Sequence, residues 1–224
     1  KAIATIERAK KDKSIPYIVI KLTGFMPFHV LNKNTEGIEL TSQEEIEYDK
    51  GKKRLKTLSD AACAANVPLM IDAEESWIQD NIDEIVLDLM RICNKEKAVV
   101  FNTAQMYRHD RLQYIKELHQ IAEKENFYVG VKIVRGAYME KERLRADQKN
   151  YRSPIQENKE ATDRDFNMAL RYCMENIDRI SLCCGTHNEE SSLLLTELMK
   201  EKQIPEDDQR VFFAQLLGMS DHIS

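Results

Sequence analysis

The sequence lacks the long apolar run that a membrane-spanning helix needs. None of its 224 residues lies in a stretch that approaches the roughly 18 apolar residues that cross a bilayer. The opening segment, residues 1–13, is charged and amphipathic and has no signal-peptide core. These absences predict a soluble protein, or one that is at most peripheral to a membrane.

The sequence also lacks a nucleic-acid pattern and a disulfide pattern. Its 33 basic and 38 acidic residues leave a net charge of −5, and no basic tract carries interleaved aromatics, so we expect no nucleic-acid partner. Its five cysteines are an odd number and contain no CxxC pair. They predict reduced thiols in a cytosol-like compartment.

Metal-binding and nucleotide-binding motifs are absent too. The five histidines show no HExxH spacing, and only His187 follows a predicted strand, so we expect no metal site. Gly136 lies in neither a GxGxxG nor a GxxxxGK context. A Rossmann dinucleotide site and a P-loop are therefore not predicted.

What the sequence does contain is six short apolar segments that alternate with helical patterns. The predicted strands are 17–22, 67–74, 98–101, 127–138, 180–184 and 211–217. Near-continuous apolar strands separated by helices predict an α/β fold with a parallel sheet covered on both faces. The regularity favours a (βα)8 TIM-type barrel, of which the chain carries about six βα units. An open sheet stays an alternative, because such a barrel needs eight strands.

Polar residues stand at the C-terminal end of every predicted strand. In a βα barrel these ends meet at one face, where active sites are built. The residues are Lys21, Asp72, Gln105, Lys132 with Arg135, Thr186 with His187, and Gln215.

Lys132 lies in the middle of the fourth strand. An ammonium group in a sheet interior is costly unless it is paired, ligand-bound or deprotonated, so this strand is expected to face something polar. The alternative is an edge strand with its lysine in water. Lys132 or Lys21 could also act as a Schiff-base nucleophile, as in an aldolase-type barrel.

Three further local patterns have alternatives. Asp72 and Glu74 could form an acid/base pair or bind magnesium, or one of them could neutralise a cation. Residues 139–154 form a charged, irregular insertion that could be a lid or a solvated surface helix. Ser42 with Glu45 fits a capping box that opens a helix to about residue 66, and Asn188 fits a helix N-cap.

Five motifs in order resemble the proline dehydrogenase family. They are Ile71–Glu75 (IDAEE), Asn102–Tyr107 (NTAQMY), Val131–Tyr138 (VKIVRGAY), Gly185–Asn188 (GTHN) and Phe213–Met219 (FAQLLGM). The resemblance implies an FAD-dependent βα barrel that oxidises L-proline to 1-pyrroline-5-carboxylate and passes electrons to a quinone. It implies a cytoplasmic location, or the matrix side of the inner mitochondrial membrane in a eukaryote, with peripheral membrane contact left open.

The resemblance also implies roles for individual residues. Asp72 and Lys132 would be catalytic, with Lys132 near the hydride-accepting nitrogen of the flavin. The substrate would contact Lys21, Asp72, Tyr138 and Leu216. The cofactor would contact Asp72, Ala73, Gln105, Lys132, Val134, Arg135, Gly136, Ala137, Thr186 and His187.

The ends of the chain depart from the family pattern. The family's first barrel strand would precede Lys1, and its last strand and the helix with a paired-arginine motif would follow Ser224. Residues 1–224 are therefore expected to form one partial barrel domain. A non-catalytic flavin-binding fragment is the alternative, and association through the edge strands 17–22 and 211–217 is expected.

Overall fold

A computed structural model describes residues 1–216 and 218 of the chain. Contacts divide the chain into two compact units, Lys1–Asn102 and Thr103–Ser224. The strands are β1 (Ile18–Lys21), β2 (Leu69–Asp72), β3 (Val100–Gln105), β4 (Val129–Val134), β5 (Ile180–Gly185) and β6 (Val211–Ala214). The helices are α1 (Ala2–Lys11), α2 (Phe28–Thr35), α3 (Ser42–Ala65), α4 (Ser76–Cys93), α5 (Arg111–Glu125), α6 (Met139–Lys149), α7 (Lys159–Glu175) and α8 (Glu189–Glu201).

The first unit is built on the parallel strands β1, β2 and the start of β3. Lys21 is the register partner of Asp72, and Leu69 is the partner of Val100. Apolar residues of α1, α3 and the strands pack into one cluster, which contains Ile6, Ala9, Ile18, Leu58, Ala62, Val67, Leu69 and Val99. Burial of this cluster is the main source of stability for these elements.

The second unit is built on β4, β5 and β6, which are also parallel. On its other side β4 continues into backbone bonds with the residues after β3: Met106 N–H donates to Val134 O (2.8 Å) and Tyr107 N–H donates to Arg135 O (2.7 Å). Lys132 therefore lies in a strand with neighbours on both sides. The edge-strand alternative for Lys132 is wrong.

Several predicted boundaries are corrected by the structure. Helix α3 is capped by Thr41 with Glu44, not by Ser42 with Glu45, because the Glu44 carboxylate accepts from Thr41 N–H (2.8 Å). The same carboxylate also accepts from Lys33 (2.7 Å). Helix α2 lies in a stretch for which the sequence predicted neither a helix nor a strand. The last strand ends at Ala214, and Leu217 and Met219 of the fifth motif lie outside the described residues.

Most of the charged insertion after β4 is helical. Residues Met139–Lys149 form helix α6, which buries Glu142 and Ala146, so the expectation of an irregular segment is wrong. The chain that follows is tied down, since His109 N–H donates to Pro154 O (3.0 Å) and Gln156 N–H donates to Tyr107 O (2.7 Å). A helix is thus confirmed for residues 139–149.

A buried histidine gives the second unit a pH-dependent stability. His119 of α5 is 5% exposed, and its Nδ1 lies 2.9 Å from the Tyr172 hydroxyl of α7. Burial lowers the pKa of His119 below its ordinary value, with Arg179 acting in the same direction and Glu123 against it. The unfolded chain therefore takes up this proton at a higher pH than the folded chain.

We expect the free energy of unfolding to fall as the pH drops through about 6.5, the pKa of an unperturbed histidine. The contribution is present above that pH and is lost below it. His119→Gln should flatten this slope, and the exposed His109→Gln should leave it unchanged. Urea unfolding across this pH range measures the slope, and equal slopes in all three proteins would contradict the assignment.

Candidate active site

The carboxyl ends of β1 and β2 place a cation beside a carboxylate. Lys21 and Asp72 are register partners on neighbouring parallel strands, so their side chains leave the sheet on the same face. Lys21 is exposed, Asp72 is half-buried, and Ala73 behind it is buried. The arrangement presents both charges to whatever occupies the end of these strands.

Glu74 differs from Asp72 in its burial and in its hydrogen-bond partners. It lies beyond the end of β2 and is 5% exposed. Its carboxylate accepts from the Thr23 backbone N–H (3.1 Å) and from the Thr23 hydroxyl (2.6 Å), while its own N–H donates to Gln79 Oε1 (2.9 Å). Glu74 thus anchors the turn that follows β1, which favours a structural role over the acid/base one. Within residues 1–216, no group of three or more potential ligands is placed to hold a metal.

We expect Glu74→Ala to lower the free energy of unfolding by about 2 to 4 kcal/mol, because it leaves the partly buried Thr23 donors without their carboxylate acceptor. Glu74→Gln keeps the shape and one acceptor and should cost less. Asp72→Asn, at a half-buried position, should change stability little. Urea denaturation of the three variants measures this, and an equal loss for Asp72→Asn and Glu74→Ala would contradict the division of roles.

The turn after β4 is held by the end of β3. Gln105 is 4% exposed, and its Oε1 accepts from Ala137 N–H (3.2 Å). Together with the bond from Tyr107 N–H to Arg135 O, this fixes the backbone of residues 135–137 from one side. Gly136 and Ala137 themselves are exposed, so the opposite side of the turn is open to a ligand.

Gly136 has no acceptable substitute in this turn. Its φ is +134°, a conformation that L side chains rarely adopt. A Cβ on Gly136 would also lie 2.5 to 2.6 Å from three atoms of the Tyr107 ring. Burial raises the pKa of Tyr107 well above its usual range, so the phenol stays neutral and the ring acts as a flat support for the turn.

The Arg135 side chain points into the protein and joins two helices. Its Nε donates to Asp163 Oδ1 (2.7 Å), and its two terminal nitrogens donate to Thr186 Oγ1 (2.6 Å) and Ser191 Oγ (3.0 Å). The guanidinium carbon lies 4.4 Å from the centre of the Phe166 ring. Burial acts to raise the pKa of Asp163, but Lys159 and Arg135 outweigh it and hold the pKa below its ordinary value.

Arg135→Lys should be a costly replacement, because an ammonium group cannot reproduce three bonds in a planar fork. We expect a loss of about 2 to 3 kcal/mol in the free energy of unfolding. The exposed Arg143→Lys is the matched control and should be neutral. Thermal and urea unfolding measure both, and an Arg135→Lys protein as stable as the control would rule out the clamp.

The Lys132 side chain passes beside Gly185, which has no side chain of its own. It is half-buried in β4, and its register partner in β5 is Cys183. A Cβ on Gly185 would lie 2.8 Å from Val134 Cγ1 and 3.6 Å from Lys132 Cε. The glycine therefore leaves room for both side chains.

The residues after β5 form a polar group. Thr186 Oγ1 accepts from Arg135 and also from Asn188 N–H (3.1 Å). Nε2 of His187 accepts from Leu216 N–H (3.2 Å), while the Leu216 side chain is 67% exposed. Asn188 caps α8 by accepting from Ser191 N–H (2.8 Å), which confirms the predicted N-cap.

Comparison with known proteins identifies the group to which this chain belongs. The family model described as proline dehydrogenase matches residues 1–224. The chain belongs to the proline dehydrogenase family. The predicted family resemblance is thereby confirmed, and membership speaks against the lysine-dependent aldolase alternative.

Two relatives at 35% identity agree with this. The chain is 35% identical over 220 residues to the carbapenem antibiotics biosynthesis protein CarD of Pectobacterium carotovorum, covering 98% of this chain and 56% of that protein. It is 35% identical over 207 residues to the mitochondrial proline dehydrogenase 1 of Caenorhabditis elegans, covering 88% and 34%. The chain thus spans between a third and somewhat over half of these relatives.

The fold matches that of proline utilization A (PutA) from Bdellovibrio bacteriovorus inactivated by N-propargylglycine. The TM-score is 0.82 at 20% identity, covering 99% of this chain and 24% of that one. The predicted α/β class and the likeness to a βα barrel are confirmed. No helix in residues 1–216 is long and apolar enough to cross a membrane.

Within each unit the structure brings predicted site residues together. In the first unit these are Lys21 and Asp72, and in the second they are the contacting pairs Gln105–Ala137, Arg135–Thr186 and His187–Leu216. Tyr138 is half-buried at the N-cap of α6. The sequence did not single out Tyr107, Asp163 or Ser191, although Tyr107 lies within a quoted motif. Asp163 and Ser191 carry no local signal, since each is a polar residue in an early turn of a helix.

Proposed function

We propose that the protein containing this chain oxidises L-proline to 1-pyrroline-5-carboxylate with FAD, the first step of proline catabolism. Membership in the proline dehydrogenase family supports the reaction. The main support for the site comes from the turn 135–137. Gln105 and Tyr107 bond to one side of this turn, and the other side is exposed, directly after the strand that contains Lys132.

The residues after β3, β4 and β5 fit a flavin cofactor by their chemistry. Lys132 offers an ammonium group, Thr186 a hydroxyl and the turn 135–137 an exposed backbone without a Cβ at Gly136. These groups suit the acceptor atoms of a flavin ring and the oxygens of a diphosphate. When bound, FAD supplies the acceptor for a hydride from the carbon next to the ring nitrogen of proline.

Several other side chains of the second unit have proposed roles around the cofactor. Gln105 and Ala137 would keep the turn in place and contact the flavin, and Val134 would line it. Arg135 would support the cofactor site indirectly, because its guanidinium donates to Asp163, Thr186 and Ser191. Thr186 and His187 would contact the remainder of FAD.

Lys132 and Asp72 are the proposed catalytic residues. The Lys132 ammonium would stabilise negative charge that develops as the ring is reduced, an interaction stronger in the transition state than in the ground state. Asp72 would order the neighbouring cation of Lys21, its register partner, which would in turn attract the carboxylate of proline. Tyr138 and Leu216 would supply apolar walls for the substrate ring. The proposed electron acceptor is a quinone.

A visible spectrum of the full-length protein before and after anaerobic addition of L-proline tests the function. We expect flavin absorption that bleaches with L-proline, and hydroxyproline in a parallel sample reports the substrate preference. A colourless protein that takes up no FAD would overturn the proposal. A yellow protein that proline does not bleach would leave flavin binding without catalysis.

A further inference from the structure

Two cysteines of the first unit lie side by side, away from the strand ends described above. Cys63 is in the last turn of α3, and Cys93 is the final residue of α4. The Cys63 Sγ lies 3.9 Å from the Cys93 carbonyl oxygen, to which it donates, and both residues are partly exposed. The two thiols thus share one accessible place between the ends of two helices.

The surroundings of the pair favour a thiolate on Cys93. The neighbouring Cys63 thiol, the Ser59 hydroxyl and the Lys56 charge all act to lower the pKa of Cys93, against burial and Asp60. Together they lower the pKa of Cys93 to about 7, while the same contact raises that of Cys63. A lowered pKa and partial exposure are the marks of a reactive cysteine.

The other cysteines provide a contrast. Cys173, Cys183 and Cys184 are buried, and burial raises the pKa of Cys173 and of Cys184 above the ordinary value for a thiol. They are therefore expected to be inert towards reagents in water.

We propose that Cys63 and Cys93 form a peroxide-responsive dithiol that closes reversibly into a disulfide between α3 and α4. The Cys93 sulfur attacks one oxygen of hydrogen peroxide, the O–O bond breaks, and Cys93 becomes a sulfenic acid while water leaves. The Cys63 sulfur then attacks the sulfenic sulfur, an S–S bond forms and the hydroxyl leaves as a second water. Two thiols lose two electrons in total, and one peroxide is reduced to two waters.

The bond would constrain the amino-terminal edge of the first unit's strands. Cys93 directly precedes Asn94, which is fully buried and whose side chain bonds to the backbone of Val99 and Val100 at the start of β3. Cys63 packs against the apolar cluster of the first unit. A disulfide here closes a loop around β2 and should raise the resistance of this unit to unfolding. This inference does not depend on the proposed function.

The test is peptide mapping of the full-length protein under non-reducing conditions, before and after brief treatment with hydrogen peroxide. We expect a linked peptide pair containing Cys63 and Cys93, which dithiothreitol reverses, together with a raised melting temperature. Before oxidation, iodoacetamide should label Cys93 at least about ten-fold faster than Cys173.

Variants separate the two steps. With Cys63→Ser, Cys93 should stop at the sulfenic acid, which dimedone captures, and no raised melting temperature should appear. Cys173→Ser is the matched control and should keep the Cys63–Cys93 link. The proposal fails if the folded wild-type protein keeps both thiols free after peroxide, or if the linked peptides contain other cysteines. Because the wild-type protein alone decides this, a variant that fails to fold does not obscure the result.

Discussion

Gly136→Ala should lower the free energy of unfolding by about 2 to 5 kcal/mol and, if the proposed function holds, weaken FAD binding. Two causes add: the φ of +134° is strained for any residue with a Cβ, and that Cβ would meet the Tyr107 ring at 2.5 Å. The ring is 5% exposed and has little space to retreat. Urea unfolding gives the stability, and titration of the apoprotein with FAD gives the affinity.

Two further variants make the Gly136 test specific. Gly24→Ala is the matched control, since a Cβ there has nothing within 4 Å and no positive φ, so it should cost less than about 0.5 kcal/mol. In a Tyr107→Ser background the same Gly136→Ala change should cost less, because only the backbone strain remains. An equal cost in both backgrounds would show that the ring does not support the turn.

Lys132→Met should slow reduction of bound flavin by proline by about 100-fold or more, while FAD affinity changes by only a few-fold. The substitution keeps the stem that passes beside Gly185 and removes only the charge. This prediction rests on the proposed function, in which that charge acts mainly in the transition state. Anaerobic stopped-flow spectroscopy with L-proline measures the rate constant.

The controls for Lys132 separate charge from packing. Lys132→Arg keeps a cation and should recover part of the rate, although the planar fork differs from an ammonium group. Lys124→Met removes a charge from an exposed position in α5 and should have no effect. A Lys132→Met protein that is reduced at the native rate would remove Lys132 from the catalytic residues.

The sequence predicted those parts of the fold that depend on local patterns. The alternation around Lys132 and the apolar runs before Asp72 and Thr186 located the strands and their polar ends. Asn188 was predicted as a cap from its residue type, and its side chain accepts from the backbone N–H three residues ahead. Such signals lie within a few residues of each other and can be found without a structure.

What the sequence could not predict depends on distant partners. The predicted third strand stopped at residue 101, yet Asn102 and Gln105 lie in a fully buried strand. Asn102 tolerates this because its amide donates to Asp83 (2.8 Å), which is 19 residues away. Arg135 likewise bonds to Asp163, 28 residues away, and to Ser191, 56 residues away. No local pattern in the sequence predicts either contact. The inward direction of the Arg135 side chain was therefore missed.

The neighbours of Thr186 determine whether its hydroxyl can donate or accept a further hydrogen bond. A hydroxyl oxygen can accept two hydrogen bonds, and here it accepts one from Arg135 and one from the backbone of Asn188. With both lone pairs engaged, the hydroxyl can only donate a further hydrogen bond. A ligand that reaches Thr186 must then present an acceptor, such as a phosphate or carbonyl oxygen, and an ammonium group, which can only donate, would not bind there. In the proposed function, Arg135 would thus restrict which groups Thr186 can bind.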